Sequence, residues 1–147
     1  MLKLIAYILL TLTLVSCGQS HYEQKISDEL VEYVYLFKSE TGIDFHNTDI
    51  YLAKFPEDSK FNGFCYPGIG INIININQKS WETTNKEQLL AHELGHCLFG
   101  LQHNARTLSD GCPESIMFPK VIDIGCWNMY KSEYYQELIE ASKRGVF

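Results

Sequence analysis

Apolar residues recur every three or four positions in three stretches of the chain, which is the spacing of the buried face of an α-helix. The first stretch follows Ser27 and two acidic residues, a typical helix start, and predicts a helix from Asp28 to Glu40. The last stretch predicts a helix from Ser132 to Lys143, close to the end of the sequence. The stretch between them carries the candidate chemistry.

The central helix is predicted over residues 85–99, where leucines and Cys97 form the apolar face. Thr84 and Glu87 have the spacing of a capping box, in which a hydroxyl and a carboxylate bind backbone N–H groups at the start of a helix. Gly100 follows the last apolar position, where helices commonly end. Residues 101–126 lack such a periodicity and are predicted to be mostly loop.

Alternation of apolar and polar residues predicts β-strands over residues 49–55, 61–66 and 71–77. The residues from Pro67 to Gly70 separate the last two strands and predict a hairpin, with residues 71–77 as its inner strand. Helices and strands together predict one α+β domain, in which a small mixed sheet packs on the central helix with the C-terminal helix behind it.

The first 16 residues contain one lysine, Lys3, and then an apolar run without an acidic residue, which is the layout of a signal peptide. The run ends in Leu-Val-Ser-Cys17, which resembles the lipobox of bacterial lipoproteins, where the cysteine becomes the lipidated first residue of the mature chain. We therefore expect a lipoprotein signal peptide at residues 1–16, a tether at 17–25 and the domain at 26–147. A lipid on Cys17 would hold the protein on a membrane of the bacterial cell envelope, facing the periplasm or the surface. An uncleaved anchor and plain secretion are the alternatives.

Charge and cysteine content narrow the classes of partner and of site. The formal net charge is −6 and no basic run occurs, so nucleic acid is not an expected partner. Apart from Cys17 the chain has four cysteines, an even number that predicts two disulfides in an exported protein. Of the three possible pairings we favour Cys112–Cys126 with Cys65–Cys97. No C-x-x-C pair occurs, so a zinc site built from cysteines is not expected.

The candidate chemistry lies in the string HELGHCLFGLQH, which starts at His92. His92 and His96 are one helical turn apart, so both imidazoles leave the same face of the central helix and can bind one zinc ion. Glu93 can reach a water on that metal and act as the general base. After the helix ends at Gly100, the chain can turn back and present His103 as the third ligand. The pattern predicts one catalytic Zn2+ and a peptide or protein substrate.

These residues, followed downstream by PESIMFP, resemble the metzincin clan of zinc endopeptidases, and PESIMFP is similar to the Met-turn of the matrixins. The HELGHC core is also similar to that of small bacterial envelope lipoproteins. The resemblance implies a zincin-like fold, the three histidines as ligands and Met117 as an apolar floor beneath them. The clan motif is H-E-x-x-H-x-x-G-x-x-H, and here Gly100 and His103 each come one residue later. The extra residue rotates the exit from the helix by about 100°, which local backbone changes must absorb.

Two other interpretations of the motif stay open. One is a zinc-bearing binding or structural lipoprotein without catalytic activity. Glu93 argues against it, because a structural zinc site is normally closed by four protein ligands and has no use for an adjacent carboxylate. The other is a zinc site whose third ligand is a downstream glutamate, Glu133 or Glu137.

The resemblance also implies where a substrate lies. Zincin-like enzymes hold peptides extended along a free sheet edge beside the metal. The outer strand of the hairpin then supplies Asn62, Gly63 and Phe64 as the candidate substrate edge, with glycine permitting close approach of the backbone. The segment from Phe118 to Ile122 is expected to line the pocket on the leaving-group side. An edge strand without a ligand role is the alternative.

Overall fold

The computed structural model describes residues 22–144. The predicted signal peptide, the lipidation site Cys17 and the first part of the predicted tether lie outside the described residues. The elements, in chain order, are α1 (Asp28–Thr41), β1 (Thr48–Ala53), β2 (Gly63–Pro67), β3 (Asn72–Asn77), α2 (Gln78–Thr83), α3 (Lys86–Phe99) and α4 (Ile124–Lys143). None of the helices within residues 22–144 has both the length and the apolar character of a membrane span.

The three strands form a mixed sheet in the order β1-β3-β2. β1 runs parallel to β3, whereas β2 pairs with β3 in the antiparallel sense. The predicted hairpin and its inner strand are therefore confirmed. A small mixed sheet combined with helices is an α+β arrangement, as the sequence pattern predicts.

One face of the sheet packs on α3. Ile50, Ile74 and Ile76 are fully buried on that face, and Leu90 and Leu94 of α3 belong to the same core. On its other side α3 contacts α4 and α1. Because α3 is enclosed in this way, most of its residues are buried, and the side chains that it presents start from a fixed backbone.

The start of α3 differs from the prediction. The cap is Asn85 and not Thr84, because the Asn85 side-chain oxygen accepts the hydrogen bond from the backbone of the first turn. Glu87 does not reach back to complete a capping box. Its carboxylate binds the Lys131 ammonium at 2.6 Å and accepts a hydrogen bond from the Tyr135 hydroxyl at 2.7 Å. Tertiary contacts with α4 therefore replace the predicted local one.

The C-terminal helix begins at Ile124 and not at Ser132, about two turns earlier than predicted. The Asp123 side chain caps it by accepting a hydrogen bond from the Gly125 N–H at 2.8 Å. Trp127 in the added turns is buried; it stacks on the Tyr134 ring and meets the Tyr135 ring edge-to-face. The early start is thus stabilised by a cap and by a large buried side chain.

The short helix α2 has no counterpart in the sequence prediction. Its six residues complete less than two turns, too few to show a helical period. Asn77 caps it, and Trp81 is its buried residue. The Ser80 hydroxyl donates a hydrogen bond to the Asn62 side-chain oxygen at 2.9 Å. α2 therefore helps to hold the chain at the start of β2.

Both predicted disulfides are present. Cys65–Cys97 joins β2 to α3, and Cys112–Cys126 joins the loop before α4 to the first turn of that helix. The first disulfide fixes the edge strand on the ligand-bearing helix. The second restrains the loop segment that contains Met117.

We expect the two disulfides to stabilise the fold according to the loops that they close. The cysteines are separated by 32 and 14 residues, respectively. Replacing Cys65 and Cys97 by serine should lower the free energy of unfolding by about 4 kcal/mol, and replacing Cys112 and Cys126 by about 3 kcal/mol. Urea denaturation of the oxidised proteins measures both losses. A double variant as stable as the wild type would show that its disulfide does not stabilise the folded protein.

Candidate metal centre

The candidate metal site is built on one face of α3 and on the loop that follows it. His92 and His96 lie one turn apart on the helix, with Glu93 beside the first. Gly100 ends the helix in the left-handed conformation, φ 61°, and its N–H bonds to carbonyls of the last turn. The chain then turns back and brings the His103 ring against the other two. The longer spacing of the motif is therefore compatible with a closed cluster of histidines.

The ring nitrogens of the three histidines converge. Nε2 of His96 lies 3.1 Å from Nε2 of His92 and 3.1 Å from Nε2 of His103. Zinc–nitrogen bonds at tetrahedral angles separate neighbouring nitrogens by about 3.3 Å, so the observed spacing suits an ion of this kind. Over residues 22–144, this is the one group of three or more His, Cys, Asp or Glu side chains that could hold a metal ion.

The tautomers of two rings leave lone pairs facing one another. Nδ1 of His92 lies 2.8 Å from the Ile116 carbonyl oxygen, and Nδ1 of His96 lies 2.6 Å from that of Leu101. A carbonyl only accepts, so each Nδ1 carries the proton and each Nε2 is an unprotonated acceptor. Burial lowers the pKa of His92 to about 4 and also lowers the pKa of His96, which keeps both rings neutral. Lone pairs at this separation repel unless a cation lies between them, so the donor set fits a metal ion.

Met117 lies against the ligand-bearing helix. It is 1% exposed, and its sulfur would be 2.6 Å from a Cβ added to Gly95, the residue before His96. Glycine at position 95 therefore allows the helix to approach this side chain. The Met117 carbonyl accepts a hydrogen bond from the N–H of Asn104 at 3.0 Å, directly after His103. Met117 thus contacts the helix that carries two of the histidines, and its backbone holds the loop that carries the third.

Glu137 of α4 holds the segment before Met117, a role that the sequence did not suggest. Its carboxylate accepts hydrogen bonds from the Ser115 hydroxyl at 2.7 Å and from the Ile116 N–H at 3.0 Å. Because the Ile116 carbonyl orients His92, Glu137 positions the first histidine through one intervening residue. Its partners lie 22 and 21 residues away in the chain, so no local pattern could indicate the contact.

The two glutamates that were alternatives for the third ligand lie outside the histidine cluster. The Glu137 carboxylate accepts its hydrogen bonds from Ser115 and Ile116, just before Met117. Glu133 is exposed, and its carboxylate accepts a hydrogen bond from the neighbouring Ser132 hydroxyl. The third side chain of the cluster is His103.

Glu93 is the buried carboxyl group of the site. It is 6% exposed, and burial raises its pKa to about 7. A Cβ added to Gly63 would lie 2.5 Å from its carboxyl carbon, so β2 passes directly against this side chain. A cation held by the neighbouring histidines would favour the ionised carboxylate and would offset the cost of burial.

A cleft opens onto the histidines and Glu93. Residues 60–63 and 118–121 both line it. When the side-chain amide of Gln88, another lining residue, is oriented to satisfy both groups, it accepts from the Ile122 N–H at 2.7 Å and donates to the Ile122 carbonyl at 3.3 Å. This contact fixes the end of the 118–121 segment on α3. Parts of both segments predicted to contact substrate therefore reach the same cleft as the histidines.

The free edge of β2 presents Gly63 and not Asn62. The Asn62 carbonyl accepts a hydrogen bond at 2.7 Å from the N–H of Asn77, the last residue of β3, so this backbone group faces β3. Hydrogen-bonded positions alternate along an antiparallel pair, so the backbone groups of Gly63 and Cys65 point away from β3. Side chains alternate as well. Phe64 therefore lies on the sheet face opposite to Glu93 and does not line the cleft.

Comparisons of the chain with protein-family models, with curated proteins and with solved structures found no match. The chemistry of the site is therefore inferred from its own geometry.

The raised pKa of Glu93 predicts how the metal-free protein responds to pH. Stability from the protonated carboxyl is fully present below the ordinary pKa of 4.5 and is lost as the pH rises through about 7. Glu93→Gln keeps the shape without the charge. It should therefore be more stable than the wild type at pH 8, by about 3 kcal/mol, with no difference at pH 4.

Urea denaturation in the presence of a chelator measures this difference. The lowered pKa of His92 acts on both proteins and cancels in the comparison. If Glu93→Gln were less stable than the wild type at pH 8, burial would not destabilise the charged Glu93 carboxylate as argued.

Removal of the third histidine should be as damaging as removal of the second. His103→Ala and His96→Ala each take away one of three ligands. Loss of a residue that only orients a ligand lowers metal affinity by about 10–100-fold, and both variants should lose more than that. Glu137→Ala should fall within that smaller range, and Glu133→Ala is the matched surface control. Competition with a chromophoric chelator measures all four. Zinc affinity unchanged in His103→Ala would exclude His103 as a ligand.

Proposed function

We propose that the protein is a zinc-dependent endopeptidase with a metzincin-like site, held on a membrane of the bacterial cell envelope by a lipid on Cys17. The position of Glu93 carries the proposal. This buried carboxyl lines the same cleft as three convergent imidazole nitrogens. Three protein ligands, an open side and an adjacent carboxylate are the parts of a hydrolytic zinc site.

The donor set supports zinc among the metals that imidazole binds. Three imidazole rings offer nitrogen ligands at a spacing that suits tetrahedral bonds. Two of the rings are oriented by backbone carbonyls, which is the usual outer-shell partner of a zinc-bound histidine. His103, by contrast, is exposed at the mouth of the cleft.

A zinc-bearing protein without activity is the alternative. A purely structural site normally has a fourth protein ligand. Within residues 22–144 the convergent group has three members, and it lies on an open cleft. An inactive protein would also gain nothing from Glu93, whose burial destabilises the charged form. These observations favour the enzyme.

Zinc held by the three imidazoles would supply a Lewis acid that acidifies water and polarises the scissile carbonyl. Glu93 moves the proton. Its carboxylate takes a proton from the attacking water as the water oxygen bonds to the carbonyl carbon. It then gives that proton to the amide nitrogen as the C–N bond breaks. The products are one new carboxyl group and one new amine.

The substrate in this proposal is an extended peptide segment. The outward backbone groups of Gly63 and Cys65 can bind it through main-chain hydrogen bonds, as an added strand on β2. Gly63 brings that strand against Glu93, because no side chain intervenes between them. Phe118 and Val121 offer apolar contacts in the same cleft. Recognition of this kind favours unfolded or flexible protein segments.

The test is cleavage of a mixture of unstructured peptides by the purified, zinc-loaded full chain. Mass spectrometry should find new termini inside the peptides, which identifies an endopeptidase. Glu93→Gln should lower kcat/KM by about 10²–10⁴-fold. Its zinc content should stay at that of the wild type, because position 93 is not a ligand. Glu133→Gln, an exposed change of the same type on α4, is the matched control and should cleave as the wild type does.

Two results would contradict the proposal. Zinc-loaded wild type that cleaves no peptide in the mixture would support the inactive zinc-bearing alternative. Equal cleavage by wild type and Glu93→Gln would show that Glu93 is not the proton acceptor.

A further inference from the structure

The β2–β3 hairpin is unusual for the absence of charge. No charged side chain occurs between Lys60 and Lys79, although 20% of the residues in the chain are charged. The tip of the hairpin is Gly68-Ile69-Gly70, and the Ile69 side chain is fully exposed. An isoleucine held between glycines at a hairpin tip contributes nothing to the core.

Aromatic residues continue from the tip along the sheet face opposite to α3. Phe64 and Tyr66 are both exposed there. Their ring centroids lie 6.3 Å apart. Ile73, which pairs with Tyr66 across the hairpin, is also exposed. The tip and this face form one apolar surface, which we call the hairpin surface.

The described chain begins at the same end of the sheet. The Tyr22 hydroxyl donates a hydrogen bond to the Asp49 carboxylate near the start of β1. Asp49 pairs with Ile73 on β3, and Ile73 pairs with Tyr66 on β2. The three strand positions form one row across the sheet, beside the hairpin tip. The start of the described chain and the hairpin surface therefore lie at one end of the molecule.

We propose that the hairpin surface rests on the lipid bilayer. Residues 18–21 are all that separates the predicted acylation site Cys17 from Tyr22. A chain extends by at most about 3.5 Å per residue, so the lipid would be attached within about 17 Å of Tyr22. A lipid attached at that distance would hold the sheet end that carries the hairpin tip near the membrane. The proposal rests on acylation of Cys17 and is independent of peptidase activity.

The chemistry of the hairpin surface suits a bilayer. Tyrosine and phenylalanine are favoured at the boundary between head groups and hydrocarbon, and an exposed isoleucine gains from insertion. The uncharged sequence avoids the cost of moving a charge into that region. A lipid anchor with a second apolar contact also holds a protein more stably than one signal alone.

Contact at the tip leaves the cleft open. Gly63, beside Glu93, lies at the other end of β2 from Pro67, four residues or about 13 Å along the strand. The tip can therefore enter the bilayer surface while the end of the strand beside the histidines stays in water.

Tryptophan fluorescence in vesicles tests the contact. The two native tryptophans, Trp81 and Trp127, are both buried and give a constant background. The mature chain, acylated at Cys17, is reconstituted into phosphatidylcholine vesicles whose acyl chains carry bromine, which quenches indole at short range. Ile69→Trp should lose the added emission by roughly twofold or more relative to unbrominated vesicles. Tyr35→Trp, an exposed position on α1, is the matched control and should not change.

Three results would overturn the proposal. The first is unquenched emission from Ile69→Trp in vesicle-bound protein. The second is equal quenching of Ile69→Trp and Tyr35→Trp, which would show that the domain has no preferred face toward the bilayer. The third is a blue shift of Ile69→Trp that depends on protein concentration without vesicles, which would assign the hairpin surface to a second copy of the chain.

Discussion

The candidate site depends on two backbone carbonyls that orient two imidazole rings. The carbonyls of Ile116 and Leu101 each accept a hydrogen bond from an Nδ1–H, so the Nε2 lone pairs of His92 and His96 are turned toward one another. While both rings are neutral, no arrangement of their protons satisfies both the carbonyls and the close approach of the two Nε2 atoms. A metal cation between the rings would resolve this conflict. The same cation would favour the ionised form of Glu93.

The surrounding structure keeps those carbonyls in place. Glu137 fixes Ile116 from α4, and Met117 packs on the helix at Gly95. The disulfide Cys112–Cys126 restrains the same loop from the other side. Such support is expected where a site holds a buried carboxyl and converging lone pairs, because both cost stability when no cation is present.

Much of this arrangement could be predicted from residues close together in the sequence. The His92–His96 spacing, the helix end at Gly100 and the Gly-x-x-His turn are local patterns. The cluster with His103 could therefore be predicted from the sequence. The cap of α3 could not be predicted in this way, because Thr84 and Asn85 can both act as caps. Glu87 binds Lys131 and Tyr135 of α4 and so does not complete a box with Thr84. α2 is too short to show a period. The role of Glu137 comes from contacts across the fold, which leave no trace in the local pattern.

A crystal structure of the zinc-loaded protein, with anomalous data collected on both sides of the zinc absorption edge, would locate an ion among the three rings. We expect one anomalous peak per chain, about 2.0–2.1 Å from each of the three Nε2 atoms. The carbonyls of Ile116 and Leu101 should still accept from the two Nδ1–H groups. A map with no peak among the three rings, or a zinc ion held there without His103, would show that the three histidines are not the zinc ligands.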